Sequence, residues 1–128
     1  MRTLASGLHD LSPMITLTHS QAWAVLSGAI LLEVAGTTCM RLSEGFTRLT
    51  PSVLIFVFYA GSFALNTLVT RVLGLSVVYG VWSGAGTVLT ALIGFYYFRE
   101  PATALKLVSI GLIVIGVMGL HSASRVSA

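Results

Sequence analysis

Acidic residues are scarce. The chain of 128 residues holds four, Asp10, Glu33, Glu44 and Glu100, against seven Lys or Arg. Charged residues make up 9% of it, where a soluble domain carries about 25%. With 55% hydrophobic residues, that shortage excludes an ordinary soluble domain and points to the membrane. There is one cysteine, Cys39, which excludes an intramolecular disulfide and offers no metal-ligand pair; it reads as a small apolar helix residue. No basic run with interleaved aromatics exists, so the excess positive charge does not imply a nucleic-acid partner. No nucleophile–base set, metal cluster or cofactor loop is present, so neither an enzyme nor a cofactor is expected.

What the sequence does have is long apolar runs. Four segments, about 22–40, 52–69, 75–97 and 103–120, approach the roughly 20 residues that a ~30 Å hydrocarbon core requires. They predict an all-α membrane protein whose single domain, 22–120, has four transmembrane helices. Residues 1–21 are expected to form a flexible cytoplasmic or interfacial tail, and 121–128 a short C-terminal one. The loops are tight, with Gly45 and Pro51 between helices one and two and Gly74 between two and three. None has room for a site in water, so function must lie within the bundle.

With four helices, both termini share a side. That side carries Arg2, Arg71 and Arg125; the other carries Arg41, Arg48, Arg99 and Lys106. Orientation follows the Lys/Arg bias of short loops, and here there is almost none, which leaves insertion both ways round open.

Glu33 lies deep within the first segment, where an ionisable group costs roughly 2.5–3.5 kcal/mol on insertion scales. Leu26, Ala29, Ile30, Gly36, Thr37 and Met40 share its helix face. Ala29, Gly36 and Thr37 are small and leave space beside the carboxylate, and no cationic residue lies deep enough to pair with it. A lone intramembrane carboxylate reads as a functional site by default; the plain alternative is a structural Glu bonded to a neighbouring helix.

On helix three, Tyr79, Trp82 and Gly86 fall on one face by the i, i+3, i+7 spacing. A carboxylate beside aromatic rings makes a receptor for a lipophilic cation, with a desolvated cation–π contact worth about 2 kcal/mol. Packing alone also accounts for such spacing. Gly80, Gly84 and Gly86 permit either close approach or bending of that helix. Helix two carries Tyr59, Ser62 and Asn66 as a polar stripe, available to the carboxylate or to interhelical hydrogen bonds. Helix four has no acid and no aromatic residue; Ser109 and Gly116, seven apart, suggest a dimerisation face.

These residues resemble a known family. "AILLEVAGTTCMRLSEGFTRLTPS" and "YGVWSGAG" are similar to the small multidrug resistance transporters, four-helix proton-coupled exporters of the bacterial inner membrane. The likeness runs from about Ala22 to Leu120. It implies an antiparallel dimer in which Glu33 binds proton or substrate in turn, and Tyr79 and Trp82 contact or gate the substrate. It further implies that Tyr59 and Ser62 line the site, Gly84 and Gly86 mark a kink in helix three, and helix four supplies the dimer contact. "GTTCMR" resembles the quaternary-ammonium type, because guanidinium exporters usually place a Trp where Gly36 or Thr37 stands. Ala64, Asn66 and Arg71 depart from the multidrug pattern.

Four such helices cannot enclose a path around a central acid, so two copies are expected to bring their Glu33 side chains towards one site. The resulting expectation is a proton-coupled exporter of lipophilic or quaternary ammonium cations, working as a homodimer among membrane lipids. Two alternatives stand beside it: an exporter of guanidinium or polyamines, and a non-transporting or heterodimeric membrane subunit.

Overall fold

The computed structural model describes residues 17–126. Within them the chain folds into four helices, α1 (His19–Leu42), α2 (Leu49–Leu73), α3 (Leu75–Tyr96) and α4 (Ala104–Val126). Each is long and apolar enough to cross a membrane.

Helix α1 starts at His19, before the apolar run begins, because a capping box fixes it there. The Gln21 backbone N–H donates to Thr18 Oγ1 at 3.2 Å, and the Thr18 N–H donates to Gln21 Oε1 at 3.0 Å. Two backbone donors that a helix start leaves orphaned are thereby satisfied. Loss of such a cap costs about 1 kcal/mol, so Thr18→Ala is expected to lower the thermal unfolding midpoint in detergent by a few degrees. At the other end, helix α4 runs past the expected boundary at Leu120 to Val126. There His121 stacks edge-on against Trp23 of α1, with ring centroids 5.5 Å apart. Residues 121–126 are therefore helix, not tail. The rest of the expected N-terminal tail, 1–16, lies outside the described residues.

The connections are short and specific. After α1, Glu44, Gly45 and Phe46 take left-handed φ angles of 50°, 71° and 67°. Ser43 holds this turn: its carbonyl accepts from the N–H groups of Thr47 and Arg48, and its hydroxyl from that of Phe46. A single residue, Gly74 at φ 82°, reverses the chain between α2 and α3; a side chain there would be strained. Before α4, the Glu100 N–H bonds back to the Gly94 carbonyl at 2.8 Å.

Burial gathers around α1. Ala22, Leu26, Ile30 and Val34, four apart, form a stripe that packs with Val69 of α2 and Val78 of α3. Helix α4 packs on α3, where Leu120 lies over Gly80 and Val117 over Gly84. The remaining surface of α4, including Leu112, Ile115 and Met118, is exposed.

Candidate functional site

Glu33 is half-buried on α1 and turns its carboxylate towards α2 and α3. Oε1 accepts a hydrogen bond from Thr37 Oγ1, one helical turn on, at 2.9 Å. The Tyr59 hydroxyl of α2 lies 3.4 Å from the same oxygen and 2.7 Å from Thr37 Oγ1. Thr37, Tyr59 and Glu33 thus close a triangle of two neutral hydroxyls and one carboxylate. On the other side, Gly86 of α3 meets Oε2 so closely that an added Cβ would sit 2.9 Å from it.

Gly36 makes the triangle possible. A Cβ there would fall 2.7 Å from Cδ2 of the Tyr59 ring, so only glycine lets the ring lie against α1 and reach the acid. Gly36 serves the site from behind, as a surface for Tyr59.

A cavity of about 270 Å³ opens beside the acid. Glu33 and Thr37 form one wall; Tyr79, Trp82, Ser83, Gly86, Thr87 and Thr90 form the other. Tyr79 is well exposed, and its ring meets Trp82 edge-on at 5.9 Å. Phe63 of α2 also meets Trp82 edge-on, at 5.7 Å, and Tyr59 lies 5.9 Å from Phe63. Four aromatic rings from two helices make one continuous row. A larger cavity of about 650 Å³, between α1, α3 and α4, shares Thr37, Thr87 and Thr90 with the first. Arg41 lies over Phe98 and Lys106 over Phe95 at its edge.

Of the residues expected at the site, Glu33, Thr37, Tyr59, Tyr79 and Trp82 come together. Ser62 does not join them: it is fully buried and donates to the Ala29 carbonyl at 2.8 Å, tying α2 to α1. Helix α3 runs unbroken from Leu75 to Tyr96 through both Gly84 and Gly86. Gly84 lies beneath Val117 and Gly86 beneath the carboxylate. Ser109 faces the larger cavity and Gly116 open space. The hydroxyl row Ser83, Thr87 and Thr90 was not anticipated, although its i, i+4, i+7 spacing beside Gly86 marks one helix face.

Because Oε2 ends a flexible side chain, a methyl group at position 86 would push the carboxylate aside without unpacking the helices. Gly86→Ala is expected to displace the Glu33 carboxylate while leaving the thermal unfolding midpoint nearly unchanged, as read by calorimetry on the reconstituted protein.

Four apolar helices with tight connections define a small multi-pass membrane protein. The Small Multidrug Resistance protein family matches residues 21–113. Over 105 residues the chain is 48% identical to the uncharacterized membrane protein YvaE of Bacillus subtilis, covering 82% of this chain and 88% of that one. It is 40% identical to a guanidinium exporter of Yersinia pseudotuberculosis, covering 80% and 99% respectively. To the multidrug transporter EmrE of Escherichia coli it is also 40% identical, over 78% and 91%. The chain belongs to the small multidrug resistance family, whose members are transporters and not enzymes, and is a multi-pass protein of the bacterial inner membrane.

Proposed function

We propose that this chain is a proton-coupled exporter of lipophilic or quaternary ammonium cations, with Glu33 as the group that proton and cation occupy in turn. The observation that carries the reading is the setting of that carboxylate. It is held by two neutral hydroxyls, faces an aromatic row, and borders a cavity. A cation gains the charge at Glu33 and the ring faces of Tyr79 and Trp82. A proton neutralises the same oxygens and releases it.

The cavity is bounded by α1 and α3 and open on its remaining side. A second copy closes it and covers the exposed surface of α4, Gly116 included, in an antiparallel homodimer that the weak loop-charge bias permits. If the dimer switches its opening only when occupied, outward cations exchange for inward protons through one site.

A second reading, export of guanidinium, draws on the relative of that name and on the polar Asn66. The absence of a bulky ring at Thr37 leaves the pocket wide and favours the larger cations. The test is substrate-driven proton movement in liposomes holding this protein alone. Its panel is a bulky aromatic cation, a quaternary ammonium, guanidinium and spermidine. Movement with the first two supports the proposal. Movement with the last two alone shifts the substrate to small polar cations. Silence from folded, dimeric protein overturns transport by this chain unaided.

A further inference from the structure

The larger cavity, of about 650 Å³, is a groove between α1 and α4, and α3, which packs against both, lies behind it. Its body is apolar, lined by Ala91, Ile93, Ile110 and Ile113. Leu105 and Ile113 on its α4 wall are exposed, so the groove opens sideways, where a spanning bundle meets hydrocarbon. Lys106 at its mouth and Ile113 within it stand seven residues apart on α4, about 10 Å.

Three charged side chains gather at that mouth, around the end of α3. The Arg41 guanidinium lies over the Phe98 ring at 5.5 Å, the Lys106 ammonium over the Phe95 ring at 5.9 Å, and the Glu100 carboxylate against Gly94. All three residues are exposed and accessible to a ligand. Glu44 and Arg48 pair with each other at 3.4 Å, but Arg41, Lys106 and Glu100 are in no ion pair among the described residues. Lys106 donates one N–H to the Pro101 carbonyl at 3.0 Å and keeps two. Arg41 is in the last turn of α1 and Lys106 in the first turn of α4, with Glu100 in the link before it. The ends of spanning helices lie at the level of lipid headgroups.

The charges narrow the choice of occupant. Arg and Lys both bind phosphate, and basic pockets between spanning helices hold lipid headgroups. An anionic headgroup would answer Arg41 and Lys106 but set more negative charge beside Glu100. A choline headgroup has no N–H for that carboxylate. A primary ammonium next to the phosphate meets all three groups. An antiparallel second copy would bring Arg71 and Arg125 to this side and, among the described residues, no acid with them.

We propose that the groove between α1, α3 and α4 is a site for one phospholipid with an ethanolamine headgroup. An acyl chain lies along Ile110 and Ile113, the phosphate meets Arg41 and Lys106, and the ammonium meets Glu100. The site is separate from whatever Glu33 binds.

The test titrates the delipidated full chain in detergent with phosphatidylethanolamine, phosphatidylcholine and phosphatidylglycerol of identical acyl chains, counting bound lipids by native mass spectrometry. One ethanolamine lipid per chain is expected, held about fivefold more tightly than the choline lipid, the upper end for an exposed ion pair. Glu100→Gln should abolish that preference. Arg41→Ala with Lys106→Ala should weaken all three lipids about 25-fold, the loss of two such contacts. Equal binding of the three lipids, a preference for the glycerol lipid, or a preference that survives Glu100→Gln overturns the proposal. Displacement by soluble glycerophosphoethanolamine at matched concentration overturns it too, because the acyl chain would then contribute nothing. Ser109→Trp fills the groove and should exclude the lipid while the dimer persists. Loss of the dimer in that variant would assign the groove to a contact between copies, and the lipid site would fall.

Discussion

Glu33→Gln is expected to reduce substrate-driven proton movement to the level of empty liposomes. Glutamine keeps the length of the side chain and an oxygen for Thr37 and Tyr59, but removes the charge. A charge-assisted contact contributes about 1.5–3 kcal/mol, so cation affinity should fall about 10- to 100-fold. Its pH dependence should vanish as well. On the proposed reading a cation and a proton compete for Glu33, and the variant has nothing for the proton to occupy. Retention of the wild-type pH dependence would move the coupling to another group. Because an amide oxygen can still accept from Thr37 and Tyr59, the variant should keep the wild-type thermal unfolding midpoint, and that measurement separates lost coupling from lost structure.

Gly36→Ala is expected to act through structure. The added Cβ would lie 2.7 and 2.8 Å from two atoms of the Tyr59 ring and 3.4 Å from Phe58 Cβ. A ring wedged between α1 and α2 cannot yield as a flexible chain end does, and overpacking of this kind costs about 1–3 kcal/mol. Tyr59 must withdraw, and its hydroxyl then leaves both Thr37 and Glu33. Thermal unfolding should drop by several degrees, and cation affinity should fall with it. A double-mutant cycle isolates the cause. Adding Tyr59→Ala to Gly36→Ala should remove most of the clash penalty, so the double variant loses less stability than the two single losses summed. Affinity should not return, because the hydroxyl is gone. Fully additive losses would show that the helices part for another reason.

The outline of this chain was legible in its sequence because the bilayer imposes a length and a polarity on each helix. A missing charge is easy to see. Glu33, Tyr79 and Trp82 could be paired for the same reason: an acid in an apolar run has few places to be useful, and period alone puts the two rings on one face. Interhelical distances were less legible. Spacing could not tell whether Ser62 would donate to a carboxylate or, as it does, to the Ala29 carbonyl. Nor could it tell that Gly84 and Gly86, two residues apart, face different neighbours, Val117 and Glu33. Glycine admits something close, and only the fold says what. The end of α4 escaped because the apolar run stops at Leu120, while the helix is carried on by the His121–Trp23 contact and a Ser124 hydroxyl bonded to the Leu120 carbonyl at 2.9 Å.

The two oxygens of Glu33 look in different directions. One meets the hydroxyl of Tyr59 on α2, and the other lies against the bare backbone of Gly86 on α3. The carboxylate therefore stands where three helices meet, α1 that carries it and α2 and α3 that touch its two oxygens. On the proposed reading, a proton, which needs no room, and a bulky cation, which needs a good deal, would set different spacings between those helices.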